Sequence, residues 1–83
     1  MDTRIALIGI ILEDNTCAEK LNAILHEYGK YIVGRMGIPY RDRGINIISI
    51  VVDAESNVIS SLSGKLGMLN GASVKTMYAK NGV

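Results

Sequence analysis

The chain has one cysteine and one histidine, Cys17 and His26, as candidate nickel or zinc ligands. They stand nine positions apart in a stretch that reads as one helix. At 3.6 residues per turn they point about 180° away from each other. One chain cannot close a chelate with both, so the reading is a core cysteine, a solvated histidine and no metal site. Phosphate chemistry has no better footing. Ser63-Gly64-Lys65-Leu66-Gly67 has the outline of a phosphate loop, but it lacks the full glycine spacing and sits inside a helix rather than ahead of one. No Ser/His/Asp set stands out. Neither catalysis nor a cofactor is expected.

What remains is recognition chemistry. Glu13-Asp14-Asn15-Thr16 leads into a helix, where backbone donors are free and the acids could meet an amine. The plainer alternative is a capping loop without a ligand. Arg35 stands in an aliphatic run, and a guanidinium there wants either a carboxylate such as Asp53, an acid from a partner subunit, or an anionic ligand. Candidate ligand-binding residues are therefore Glu13, Asp14, Asn15 and Arg35. Lys30, Arg35, Arg41 and Arg43, opposed by Asp42, form a local basic run that could touch phosphate; the plainer alternative is a solvated turn. The formal net charge of +1 gives no general push toward nucleic acid or membrane.

These residues must be held by a small scaffold. At 83 residues, 48% of them hydrophobic, there is room for one domain spanning 1–83. A chain this short leaves much of its surface wet and needs support. The lone cysteine excludes an internal disulfide and fits a reducing, cytoplasmic setting. Self-association is the remaining support. The apolar run Ile5–Leu12 is too short to span a bilayer, and no membrane role is expected.

Arg4–Glu13 is apolar on both alternations, which predicts a strand covered on both sides. Thr16-Cys17-Ala18-Glu19 fits a capping box. Cys17, Leu21, Ile24, Leu25 and Tyr28 then form a helical stripe, closed by Gly29 as a left-handed stop. Tyr31–Asp53 predicts a hairpin turning at Arg41–Gly44, with Gly44 at positive φ. Pro39 places its strand at a sheet edge. Centring the turn on Asp42 puts Ile32, Gly34, Met36 and Ile38 on one face with Asn46, Ile48, Ile50 and Val52. Tyr31, Val33, Arg35 and Gly37 fall on the other with Ile45, Ile47, Ser49, Val51 and Asp53. A second helix is expected from about Glu55 to Leu69, on a stripe of Val58, Ile59, Leu62, Leu66 and Leu69. Gly64 and Gly67 within it suggest a close neighbour. Asn70-Gly71 turns into a last strand, Ala72–Lys80, and Asn81-Gly82-Val83 should fray.

The order strand, helix, strand, strand, helix, strand is the ferredoxin-like β-α-β-β-α-β pattern, an α+β fold. It predicts a four-stranded antiparallel sheet in the order 4-1-3-2 with both helices on one face. The other face is then bare, and it is apolar. Such a patch marks an interaction surface. The expected partner is a second copy, in a homodimer or homotetramer, with Tyr31, Val33, Arg35, Ile45, Ile47 and Val51 at the interface.

The runs GRMGIPYRDRGINIISIVVDA and LSGKLGMLNGASVKT, above all IPYRDRG and SGKLGMLNG, resemble the iron-only hydrogenase system regulators, across nearly the whole chain. The resemblance implies a ferredoxin-like fold related to ACT domains and to the C-terminal regulatory domain of nickel-responsive repressors. Those relatives oligomerise and sense small ligands. One implication fails at once: nickel-responsive repressors use several histidines, and His26 stands alone. They also carry a ribbon-helix-helix segment ahead of the sensing domain, whereas this chain starts at its first strand, so direct operator binding is not expected. The expectation is a non-catalytic, oligomeric, ACT-like module that senses a small-molecule effector and regulates transcription for such a system. The alternative is a nucleic-acid-binding regulator using the Arg41/Arg43 turn.

Overall fold

The computed structural model describes residues 2–80; the expected fraying of 81–83 lies outside the described residues. Strand β1 (Arg4–Leu12) leads to helix α1 (Ala18–Glu27). The hairpin of β2 (Ile32–Tyr40) and β3 (Ile45–Ala54) follows, then helix α2 (Ser56–Gly67) and strand β4 (Ala72–Tyr78). The sheet runs β2-β3-β1-β4, antiparallel throughout. This is the expected ferredoxin-like α+β arrangement, with β1 and β3 in the centre and the Pro39 strand at an edge.

One alternation of the central strands forms the core. Ala6, Ile8, Ile10 and Leu12 meet Ile48, Ile50, Val52 and Ala54, all buried. The helices close over them with the expected stripes: Cys17, Leu21, Leu25 and Tyr28 from the first, Ile59, Leu62 and Leu66 from the second. Each fully buried aliphatic is worth about 1.5–3 kcal/mol. Tyr28 carries its hydroxyl to Ser61 Oγ, 2.8 Å away, which satisfies its polar end and ties α1 to α2. A hydroxyl pair, Ser63 and Thr76, ties α2 to β4.

Several local expectations give way. The capping box does not form. The Asp14 carboxylate instead accepts from the Thr16 backbone N–H at 2.9 Å, and a short 3₁₀ turn, Asn15–Cys17, precedes α1. The aspartate, two residues ahead of that donor, reaches it in a local turn. Gly29 is not left-handed. Tyr31 N–H donates to Tyr28 O at 3.0 Å, so the chain leaves α1 through a 3₁₀ turn, Gly29–Tyr31. Among the described residues nothing crowds Gly64 or Gly67: a β-carbon at either would meet nothing within 4 Å. The strand β1 is covered on one side, since Leu7 and Ile11 on its other alternation are exposed.

The hairpin register differs from the expected one over most of β2. Ile32 faces Val52 as expected, but Val33 forms a bulge, and from Gly34 onward the pairing is displaced by one. Arg35 lies opposite Ile50, Gly37 opposite Ile48 and Tyr40 opposite Ile45. Gly44, at φ 66°, belongs to a four-residue connection, Arg41–Gly44, and not to the strand. Tyr40 therefore pairs with Ile45, and the bulge absorbs the extra residue. Because side chains alternate, every residue from Gly34 to Tyr40 sits on the face opposite to the expected one.

Candidate functional site

The displaced register exchanges the residues of the two faces. Arg35 was expected on the bare face and lies on the helix side. Tyr31 was expected there too; it sits in the 3₁₀ turn, half-buried against the core, its ring 6.3 Å from that of Tyr28. Val33 occupies the bulge, largely exposed. In their place β2 brings Met36, Ile38 and Tyr40 to the bare face. Ile45, Ile47 and Val51 lie there as expected, beside Ile5, Leu7 and Ile11 of β1 and Met77 of β4. The charged residues of this face are Asp53, opposite Ile5, and Lys75, opposite Gly9. Leu7, Ile11 and Ile47 remain 37–42% exposed and Met36 60%, so the surface is apolar and uncovered.

The β1–α1 loop lies at one end of the sheet and is stitched to both sides of it. Glu13 N–H donates to Gly71 O at 2.6 Å, on the β4 side. Toward β3, Asn46 Nδ2 donates to Asn15 Oδ1 at 2.6 Å. Asp14 is already engaged by Thr16. The donation from the Thr16 backbone N–H, then that from its side chain, holds the Asp14 carboxyl below its ordinary 3.8. A depressed carboxyl contributes stability that is complete above its unfolded value and is lost as pH falls through the lower folded value. The stability advantage of the parent over Asp14→Ala is therefore expected to be complete at pH 7, to begin to shrink below about pH 4 and to be lost as the pH falls through the lower folded value. Urea unfolding of both proteins at pH 7 and pH 3 checks it; a difference that persists unchanged at pH 3 excludes the ionised cap.

The four candidate ligand residues do not converge. Glu13 and Asp14 face the start of β4, whereas Asn15 reaches Asn46. Arg35 donates to Asn22 Oδ1 at 3.4 Å, a long contact on an exposed surface. Arg35, Asn22 and Asn46 nevertheless line one groove of about 290 Å³ between α1 and β2, floored by Leu12, Leu21 and Ile48. Asn22 and Asn46 had not been singled out. The clue lay in the pattern: Asn46 stands on the alternation of Ile48, Ile50 and Val52, where a polar residue is out of place.

The basic run disperses. Arg41 and Arg43 form an exposed 3₁₀ turn at the hairpin tip, while Lys30 precedes β2. Nine strand residues, about 30 Å, separate them. Cys17 is buried and His26 exposed. Among the described residues, no three of His, Cys, Asp and Glu gather as a metal group. No described helix is long and apolar enough to cross a membrane.

This arrangement matches known proteins over almost its full extent. Residues 4–76 match the TM1266-like family, described as "Iron-only hydrogenase system regulator, putative". The chain belongs to this family. Among solved structures, the uncharacterized protein TM1266 from Thermotoga maritima superposes with a TM-score of 0.91 and is 31% identical, over 95% of this chain and 100% of that one. An unknown protein from Galdieria sulphuraria gives a TM-score of 0.65 at 13% identity, over 99% of this chain and 48% of that one. At that identity the likeness shows the fold alone. Among curated proteins none matches. TM1266 shares this fold, and the family description concerns regulation rather than a reaction.

Proposed function

We propose that this chain is a non-catalytic regulatory module of an iron-only hydrogenase system, built as a homo-oligomer through its bare sheet face and responsive to a small effector. The observation that carries the proposal is the uncovered apolar face itself. Four strands about 4.8 Å apart and about 3.3 Å per residue make a plate of roughly 19 by 30 Å. That is about 570 Å² of flat area, which side-chain relief brings to the low end of a standard interface, about 600 Å² per partner. The occupant we assign is a second copy. Among the described residues the face carries one acid and one base, Asp53 and Lys75, so a two-fold axis lying midway between them sets each acid against the other copy's base. The family description supplies the regulatory context. A cytoplasmic setting suits the single thiol, and regulation of transcription then runs through effector and assembly.

Light scattering at micromolar concentration tests the assembly. The expected mass is that of a dimer or tetramer, and a strict monomer overturns the reading. Nucleic-acid binding by the hairpin tip has thinner support, because only Arg41 and Arg43 remain together there. If it operates, binding weakens steeply with salt and drops further in the Arg41→Ala/Arg43→Ala double variant. Full retained affinity in that variant excludes the tip.

A further inference from the structure

We infer that the groove between α1 and β2 is a binding site for a small monocarboxylate with a short apolar chain, anchored by Arg35. The assignment deepens the effector part of the proposed function and rests on it, but it does not require the assembly.

Charge is the first argument. Arg35 is the single charged residue lining the groove. Its guanidinium has five donors in a fixed fork, and among the described residues its side-chain acceptor is Asn22 Oδ1, at a marginal 3.4 Å. Among the described residues no carboxylate takes that place. Asp53, the natural candidate on spacing, pairs across from Ile5 on the bare face of the sheet, and Asp14 is held by Thr16. A fork with unused donors beside an apolar floor fits a planar carboxylate, which it can bind through two parallel bonds.

Shape is the second. Beyond Ile32, which packs against the core, the helix-facing side of β2 carries Arg35, Gly37 and Pro39, all exposed. Gly37 has no need of unusual backbone, and a β-carbon placed on it would meet nothing within 4 Å. The missing side chain leaves space over Leu12, Leu21 and Ile48, all buried at the groove's base. At about 290 Å³ the space is at the small end of ligand pockets.

Polarity narrows the class. One guanidinium and two amides suit a single negative charge, whereas a phosphate dianion would want a second cation, and none lines the groove. The bond to Asn15 fixes Asn46, so its second Nδ2 hydrogen and the Nδ2 group of Asn22, whose Oδ1 faces Arg35, are the amide donors left for the carboxylate.

The test is an NMR titration of the ¹⁵N-labelled full chain with butyrate and isovalerate, with butyramide as the uncharged control. Saturable shifts are expected at the Arg35 side chain and at the amides of Asn22 and Asn46, with a millimolar Kd. Arg35→Gln should weaken binding tenfold or more. Gly37→Val keeps the charge but fills the space, and should abolish binding while leaving distant signals in place. Equal response to butyramide, undiminished binding by Arg35→Gln or Gly37→Val, or no saturable shift in the millimolar range each overturns the site. Light scattering on the same samples separates the two claims. A monomer that binds butyrate keeps the groove and overturns the assembly; an oligomer blind to butyrate does the reverse.

Discussion

Replacing Gly71 with alanine is expected to cost this domain more than about 2 kcal/mol, a fall in Tm of roughly 10 °C or more for a domain of this size. Two effects add. Gly71 has φ 82°, a left-handed conformation that an L side chain enters only at a cost of about 1–2 kcal/mol. Its absent side chain also makes room for the β1–α1 loop. A β-carbon there would lie 2.5 Å from Cβ of Asp14 and 3.2 Å from its backbone nitrogen, and Glu13 donates to the carbonyl of the same glycine. The loop cannot step back without breaking that bond and disturbing the Asp14 cap. Gly44→Ala is the control. Its φ of 66° carries the same backbone penalty, but nothing lies within 4 Å of a β-carbon there, so the expected loss is about 1 kcal/mol. Thermal unfolding of both variants checks the pair, and equal losses would show that the contact with Asp14 contributes nothing.

Ile47→Lys is expected to convert the proposed oligomer to a monomer with its fold intact. Ile47 pairs with Ile11 on one side and Ile38 on the other, within the bare face, and is 39% exposed. In an isolated subunit a lysine there keeps its ammonium in water and buries little but its stem. In a two-fold sheet-on-sheet dimer both copies would bring an unpaired ammonium into an apolar interface. Leaving a charge buried and unpaired costs about 2–5 kcal/mol, a rise in Kd of roughly thirtyfold to several-thousand-fold. His26→Lys, on the exposed side of α1, should leave the mass unchanged. Light scattering across a dilution series decides it: an oligomeric parent whose Ile47→Lys variant keeps the same mass would show that the bare face is not the interface.

The architecture was legible because it is written in periodicity. A double alternation of aliphatics in β1, two stripes at helical spacing, and Gly44 and Gly71 at the turns each demand one local structure and agree on one fold. The buried stripe of α1 and the edge position of β2 follow from side-chain burial and from a proline that cannot donate.

Where local signals compete, spacing alone misled. Thr16 and Asp14 can both cap the same helix start, and only the path of the loop past Gly71 settles which one does. Gly29 can end a helix left-handed or not; Tyr28 and Tyr31 closing on each other makes the 3₁₀ exit. The candidate site suffered most. One residue gained by the Arg41–Gly44 connection and absorbed at Val33 turned Arg35 from the bare face to the helix face and brought Asn22 and Asn46 beside it.

By itself the sequence determined the order of elements, the core, and the excess of apolar strand surface over what two helices can cover, since each depends on composition and period within a segment. Only the tertiary structure decided which side chains of β2 occupy that surface and which face α1. The reason is the two-residue repeat of a strand: pairing across the hairpin is set jointly by loop geometry and a bulge, and a single step inverts every side chain that follows.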